Sequence, residues 1–228
     1  MRHFQKTIFG VLLVIFILTC FTLVLDTSAG ETITVAKDGA GDHETIQEAI
    51  DAAVDDDIIE IGSGIYRENP VIDKGVELKG IGIDDCVIDG SGNEDVVTVN
   101  ADNVRISRLT VQNSSDDGVG IMVNWLGAIL KDLKVTNNEI GIQIEGTNAK
   151  LDTVNSSDNS KTGVNILDQR GGTIENSTFN NNRYYGIAMA NVSYYNIEGV
   201  MCNGNTYGIH VRESNNITTR KPSLREGN

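Results

Sequence analysis

A motif that occurs five times in the second half of the chain constrains the fold more than any other feature. Each copy is a glycine, a β-branched residue, any residue and an apolar residue, and successive glycines lie 21, 22, 23 and 22 residues apart. Such a fixed period is typical of a solenoid, in which each coil packs only against its neighbours. The copies are Gly120-Ile121-Met122-Val123, Gly141-Ile142-Gln143-Ile144, Gly163-Val164-Asn165-Ile166, Gly186-Ile187-Ala188-Met189 and Gly208-Ile209-His210-Val211.

A second set of apolar residues runs in phase with these glycines, and Asn or Ser marks the corner after each. The apolar runs are short, β-branched and of period two, whereas a helical repeat would need longer runs of period 3.6. Each unit is therefore predicted to be a coil of short strands, and the fold to be all-β. Asn suits the corners because it tolerates left-handed backbone geometry and can hydrogen-bond to the equivalent Asn of the next coil. The second set consists of Ile106, Leu130, Leu151, Ile174 and Ile197.

A short amphipathic helix is predicted ahead of the coils. Thr45 and Glu48 form a capping box, which marks a helix start. We expect this helix to cover the open N-terminal end of the solenoid, where strand edges and core would otherwise meet water. The apolar residues at helical spacing are Ile46, Ala49, Ile50, Ala53 and Val54. The first strands are expected at residues 57–61, 71–72, 76–78, 86–88 and 96–99.

The first 29 residues have the layout of a secretory signal. Basic residues precede an apolar run, and Thr27-Ser28-Ala29 offers small side chains for cleavage after Ala29. The apolar run is long, so an uncleaved membrane anchor is the alternative. Export to the cell surface or the medium follows from either reading.

The remainder of the chain is divided into three segments. Residues 30–75 are predicted to hold the cap helix and the first strands, residues 76–217 the β-helix coils, and residues 218–228 a polar tail. That tail offers no apolar cap, so three possibilities are open: further coils follow, a partner covers the C-terminal end, or charge and Pro222 protect the last coil.

Composition excludes several classes of protein. With 32 acidic and 18 basic side chains the net charge is −14, which argues against a nucleic-acid partner. Three Cys cannot build a disulfide scaffold. Cys86 and Cys202 are separated by about five coils, roughly 24 Å, so no bridge between them is expected. Cys202 is predicted to be a buried thiol.

Two segments resemble known families. The stretch from Val35 to Ile50 and the box Gly64-Ile65-Tyr66-Arg67-Glu68 are similar to the opening of pectinesterases. The later coils resemble the right-handed parallel β-helix of pectin-lyase-like surface proteins, among them the periplasmic family of nitrous-oxide reductase maturation. The resemblance implies a single-stranded right-handed parallel β-helix. The pectinesterase catalytic motifs are missing, so none of that family's catalytic residues is assigned here.

The outward column of the repeat supplies the candidate binding residues. Strand alternation points Gln143 and Asn165 outward, and the single Trp, Trp125, lies in an adjoining turn. An aromatic ring beside amides is typical of a sugar-binding groove, because the ring stacks on C–H bonds while amides bind hydroxyls. The same residues are also typical of a solvated β-helix face. The whole column is Met122, Gln143, Asn165, Ala188 and His210.

Three charged residues near this column are the candidates for catalysis. Glu145 and Asp168 lie on neighbouring coils, about 4.8 Å apart, where two carboxyl groups can act as an acid/base pair, and Arg170 lies in the adjoining turn. No transition-metal site is indicated, because the three His are scattered. The acidic turns Asp55-Asp56-Asp57 and Asp84-Asp85 leave calcium as the one cofactor to consider.

The sequence therefore favours an exported β-helix module, structural or carbohydrate-binding, with a polysaccharide or cell-surface glycan as its partner. The alternative is a polysaccharide-active enzyme, of lyase, hydrolase or esterase type, that acts on uronic-acid-rich polymers. Since no complete catalytic motif is present, the enzymatic reading is the less favoured of the two.

Overall fold

Short parallel strands, stacked coil on coil, build the body of the protein. The computed structural model describes residues 30–220. The predictions of a signal or anchor at residues 1–29, and of most of the polar tail, lie outside these residues. Within residues 30–220 no helix is long and apolar enough to cross a bilayer. The predicted all-β parallel solenoid is confirmed, with about eight turns.

Two parallel sheets form the sides of the solenoid. The first sheet has eleven strands: β1 (Thr32–Val35), β2 (Ile58–Ile61), β3 (Gly64–Tyr66), β5 (Glu77–Gly80), β6 (Cys86–Asp89), β8 (Arg105–Gln112), β10 (Ile129–Thr136), β12 (Ala149–Ser156), β14 (Arg170–Glu175), β16 (Ser193–Glu198) and β18 (Asn215–Arg220). The second sheet has seven: β4 (Val71–Ile72), β7 (Val97–Val99), β9 (Val119–Val123), β11 (Ile140–Ile144), β13 (Thr162–Leu167), β15 (Tyr185–Ala190) and β17 (Tyr207–Arg212).

The register follows the repeat seen in the sequence. Ile142 pairs with Val164, and Leu130 pairs with Leu151, so equivalent residues lie directly above one another. Apart from the last coil, the inward columns that these residues belong to are buried and form one continuous core. Burial of these apolar columns is the main source of stability in such a fold.

The repeated glycine is required by the close approach of adjacent coils. A Cβ added to Gly163 would lie 2.6 Å from the carbonyl oxygen of Gly186, the equivalent residue one coil later. The same contact recurs at Gly120, Gly141 and Gly186, at 2.5 to 2.7 Å. Any side chain here would force neighbouring coils apart, which explains why the motif begins with glycine.

The corners that follow strands β10, β12, β14 and β16 carry a ladder of hydrogen-bonded asparagines, as predicted. The backbone N–H of Asn159 donates to Oδ1 of Asn182 at 3.0 Å, and that of Asn182 donates to Oδ1 of Asn205 at 2.7 Å. Asn159 and Asn182 are at most 2% exposed. Residues beside the ladder, such as Asn137 and Asn181, have positive φ, which agrees with the tolerance of Asn for left-handed geometry.

Helix α1 (Ile46–Ala52) covers the N-terminal end as expected. Thr45 accepts the hydrogen bond from the backbone N–H of Glu48, which confirms the predicted helix start. Ile46 and Ile50 are buried, but Val54 is 62% exposed, contrary to the predicted apolar face. The helix ends at Ala52 and the chain continues in extended geometry, so Val54 leaves the buried side.

The pectinesterase-like box has a structural role here. The Tyr66 hydroxyl donates to the carbonyl oxygen of Gly62 at 3.2 Å, beneath the first coil. Glu68 accepts from the first backbone N–H groups of helix α1, Ile46 and Gln47, at 3.0 to 3.2 Å. A carboxylate at this position satisfies N–H groups that have no partner within the helix.

At the C-terminal end the last coil has no neighbour among the described residues. Its inward-facing Ile209 and Val211 are 38% and 43% exposed. Strand β18 continues to Arg220, so the coils extend three residues past the predicted boundary at 217. Cys202 is half-buried, not buried as predicted, because it packs in the penultimate coil next to this open end.

Candidate functional site

The outer face of the second sheet brings two of the three predicted sugar-binding residues together. Gln143 and Asn165 pair in register, and Nδ2 of Asn165 donates to Oε1 of Gln143 at 3.2 Å. Nε2 of Gln143 in turn donates to Oε1 of Glu145 at 2.7 Å. These side chains therefore form a hydrogen-bonded chain across two coils.

Trp125, the third predicted residue, faces a different surface. Its side chain is 51% exposed and lies in the corner after strand β9. It lines a groove of about 390 Å³, which we call the Trp125 groove, together with residues of earlier coils. The other lining residues are Asp55, Asp56, Asp73, Gly75, Asn100, Ala101, Asp102 and Asn103.

The walls of the Trp125 groove are fixed by hydrogen bonds between successive corners. Oδ1 of Asp102 accepts from the backbone N–H of Leu126 at 3.0 Å, and Oδ1 of Asp55 accepts from that of Gly75 at 2.8 Å. The Asn124 amide donates to Oδ1 of Asn100 at 2.8 Å. The groove is therefore preformed, and its described lining carries four carboxylates and no Lys or Arg.

Sequence reasoning missed the acidic and amide walls of this groove. The signal was present as a spacing of 24 residues, which separates Asn100 from Asn124 and Asp102 from Leu126. The early coils differ in length, because Ile58 pairs with Glu77 but Glu77 pairs with Arg105, so the 22-residue period of the glycine motif does not extend to them.

The three catalytic candidates do not share a partner. Glu145 is bonded to Gln143, whereas Oδ1 of Asp168 accepts from Asn191 of the next coil at 2.7 Å. The Arg170 guanidinium lies 4.7 Å from the ring centroid of Tyr194. An acid/base mechanism needs two carboxyl groups that face one bond, and the structure offers no such convergence of these residues.

Two of the five aspartates in the acidic turns proposed for calcium, Asp55 and Asp57, accept hydrogen bonds from the backbone. Asp57 is 4% exposed, and its two oxygens accept from the N–H groups of Glu31 and Val54 at 2.7 and 2.8 Å. Among residues 30–220 no group of three or more His, Cys, Asp or Glu side chains is placed to hold a metal ion. A calcium site stays a prediction.

Comparison with protein families identifies the relatives of this chain. The family model described as "Periplasmic copper-binding protein (NosD)" matches residues 62–224. The chain belongs to the NosD family. The family's periplasmic description agrees with the predicted export, while the finer prediction of a secreted or cell-surface location stays a prediction.

Curated relatives of this NosD-family chain include plant pectinesterases. A probable pectinesterase/pectinesterase inhibitor 6 from Arabidopsis thaliana is 37% identical over 76 residues, covering 29% of this chain and 14% of the relative. A pectinesterase/pectinesterase inhibitor from Ficus pumila var. awkeotsang is 44% identical over 68 residues, covering 27% of this chain and 12% of the relative. The chain thus spans only about one seventh of the length of these relatives.

Solved structures share the fold. Escherichia coli YbhC gives a TM-score of 0.57 at 12% identity, covering 89% of this chain and 77% of that one. The Agl-KA catalytic domain gives 0.58 at 17% identity, covering 84% and 48%. A pectin methylesterase mutant in complex with a hexasaccharide gives 0.53 at 15% identity, covering 80% and 66%. These similarities confirm the predicted right-handed, pectin-lyase-like parallel β-helix.

Copper ligands do not converge in the part of this NosD-family chain that the structure describes. His43 follows strand β1 in the first coil, and His210 lies in strand β17 of the last. Burial raises the pKa of Cys86 to about 12 and that of Cys202 to about 11, and neither thiol belongs to a group of three or more His, Cys, Asp or Glu side chains placed to hold a metal ion. Residues 30–220 therefore do not fit a copper site, and no chemistry is assigned to that metal.

Proposed function

We propose that this protein is an exported carbohydrate-binding module that holds a sugar chain in the Trp125 groove. The observation that carries the proposal is the half-exposed face of the single Trp beside a preformed wall of carboxylates and amides. An aromatic face stacks on the C–H bonds of a pyranose ring, while carboxylate and amide oxygens accept from its hydroxyls.

The negative charge of the Trp125 groove favours neutral glycans over acidic ones. Asp55, Asp56, Asp73 and Asp102 line it without a basic residue among its described walls. Like charges repel, so a neutral polysaccharide suits this groove better than the uronic-acid polymers considered from the sequence. The enzymatic alternative gains no support from the geometry, because Glu145, Asp168 and Arg170 are each engaged separately.

The test is retention on polysaccharide gels with product analysis. Neutral glucans, mannans and galactans are compared with polygalacturonate, each with calcium and with a chelator. We expect retention by at least one neutral polymer, no release of reducing ends, and no dependence on calcium.

Two variants of the same corner make the test specific. Trp125→Ala is expected to weaken retention at least about tenfold, the effect of losing a central aromatic contact. Leu126→Ala truncates an exposed neighbour at 43% exposure and keeps its backbone N–H, so it is expected to bind like the wild type. Equal retention by both variants, or a preference for polygalacturonate, would refute the proposal, and release of reducing ends would favour the enzyme.

A further inference from the structure

An exposed cluster of aromatic rings lies on the outer face of the second sheet, near the C-terminal end. The rings of Tyr185 and Tyr207 are stacked, with centroids 5.4 Å apart and an interplanar angle of 23°. His210 lies 5.0 Å from Tyr185 and 6.1 Å from Tyr207. Tyr184 extends the cluster, 6.5 Å from Tyr185. We call Tyr184, Tyr185, Tyr207 and His210 the tyrosine cluster.

The position of the tyrosine cluster is unusual for this chain. Five of its six tyrosines lie between residues 184 and 207. Tyr184 and Tyr207 are 40% and 54% exposed, and small Ala188 leaves the face beside them open. Exposed, contiguous aromatic surface on a soluble domain commonly marks a binding site.

A polar groove leads along the corner of the solenoid to this cluster. Its volume is about 410 Å³, and residues from four successive corners line it. Three strand spacings separate the first corner from the last, which gives a length of about 14 Å. Representative lining residues of the four corners are Ser115, Asn137, Ser160 and Arg183.

Arg183 connects the groove with the cluster. Its guanidinium belongs to the groove lining and lies 5.3 Å from the ring centroid of Tyr184. The lining carries three carboxylates, of which Glu139 pairs with Lys161 and Asp158 accepts from the neutral Asn181 amide at 3.2 Å, while Asp116 is the third. The serine hydroxyls and asparagine amides outnumber the charged groups of the groove.

We propose that the polar groove and the tyrosine cluster together form a second binding site, for a linear neutral oligosaccharide that runs parallel to the solenoid axis. One sugar ring packs against the exposed Tyr207, which itself stacks on Tyr185, and the following rings exchange hydrogen bonds with the corner residues. The second site involves no residue of the Trp125 groove, so the two proposals can be tested independently of each other. A peptide added along the edge of strand β17 that pairs with no other described strand is the competing occupant of this region.

The test uses titration calorimetry on the Trp125→Ala protein, so that the first site does not contribute. The probes are cellohexaose, mannohexaose and xylohexaose, with the corresponding disaccharides. We expect at least one hexasaccharide to bind, and its disaccharide to bind at least tenfold more weakly because it cannot reach both the cluster and the groove.

Variants within the Trp125→Ala background assign the binding to the cluster. Adding Tyr207→Ala is expected to weaken hexasaccharide binding at least about tenfold. Adding Tyr207→Phe keeps the ring face and is expected to change affinity less than threefold. Tyr194→Ala is the matched control, since Tyr194 is also 54% exposed but stacks under Arg170 outside the cluster. Thermal unfolding by circular dichroism checks that each variant is folded.

The outcomes separate this proposal from the one before it. Loss of binding in the Tyr207→Ala protein but not in the Tyr194→Ala protein supports the second site, whatever the result at Trp125. The second site is overturned if no hexasaccharide binds the Trp125→Ala protein, or if Tyr207→Ala and Tyr194→Ala have equal effects. Binding of an extended peptide that competes with the sugar but persists in Tyr207→Ala would assign the region to the edge of strand β17 instead.

Discussion

The carbonyl oxygen of Gly186 faces the α-carbon of Gly163 from one coil away, and only 2.6 Å would separate it from a Cβ at that position. Backbone, not side chain, fills this space, so a methyl group cannot be accommodated by a rotamer change. The glycines at the start of each repeat are thus steric requirements of coil stacking.

This contact predicts that a glycine-to-alanine substitution destabilises the protein strongly at Gly163 and hardly at all at Gly208. Gly163→Ala is expected to lower the free energy of unfolding by about 3 kcal/mol or more, because the two coils must separate. At Gly208, in the last coil, an added Cβ meets only Cys202, at 3.5 Å, which is an ordinary contact distance. Gly208→Ala is therefore expected to change the free energy of unfolding by less than about 0.5 kcal/mol. Urea denaturation measures both, and similar losses would contradict the steric account.

The asparagine ladder predicts a second large effect. Asn159→Ala removes an acceptor for the backbone N–H of Asn138 and the donor that reaches Oδ1 of Asn182 at 3.1 Å. The buried N–H of Asn138 loses its acceptor, whereas Oδ1 of Asn182 still accepts from the backbone N–H of residue 159. The substitution is therefore expected to lower the free energy of unfolding by about 2 kcal/mol. Asn196→Ala, on the half-exposed outer face of strand β16, is the control and is expected to cost less than about 0.5 kcal/mol. Equal midpoints in urea for the two variants would show that the ladder is dispensable.

Acid sensitivity is predicted at Asp89. Burial acts to raise the pKa of this carboxyl, but hydrogen bonds from Gln112, Ser91 and Asn113, at 2.8 to 3.0 Å, outweigh it and hold the pKa below its usual value. A depressed pKa in the folded state contributes stability above the unfolded pKa, and this contribution is lost as the pH falls through the folded value. The wild type should therefore lose stability below about pH 4.

Asp89→Asn isolates that contribution from the other carboxylates. The variant is expected to be less stable at pH 7, because an amide cannot accept all these bonds, and to show a flatter decline between pH 5 and the acid limit. Urea midpoints across this range measure the difference between the two proteins. Parallel curves for wild type and variant would rule out a role for Asp89 in acid unfolding.

The electrostatics of the Trp125 groove can be tested without a sugar. Because Trp125 is the single Trp, its fluorescence reports on this groove alone. Caesium, attracted by the surrounding carboxylates, is expected to quench it better than iodide, relative to the same pair of quenchers acting on N-acetyltryptophanamide. Asp73→Asn should reduce the preference for caesium. A preference for iodide would mean that the carboxylates do not face the indole ring.

The later coils could be predicted from the sequence because their period is regular. Once Ile142 and Val164 are in register, Gln143 and Asn165 must share the outer face, and they do. The corner asparagines followed from their backbone preference in the same way. Local rules suffice wherever a coil repeats its neighbour.

The two proposed sites depend on departures from that regularity. The groove partners of Trp125, such as Asp73 and Asp102, come from early coils whose lengths differ, so no fixed period aligns them with it. The tyrosine cluster escaped prediction because the repeated glycine breaks strand alternation. Tyr185 contacts the exposed His210, although Ile187, two residues later, points inward.

The difference between the two ends of the solenoid has a mechanical consequence. Helix α1 closes the first coil, while Ile209 and Val211 of the last coil are covered on one side only by residues 30–220. Each coil is joined to the next by its own set of backbone and asparagine hydrogen bonds. Pulled along the solenoid axis, the described coils would separate from strand β18 inward, one coil at a time, and the turns bearing Trp125 would outlast those bearing Tyr207.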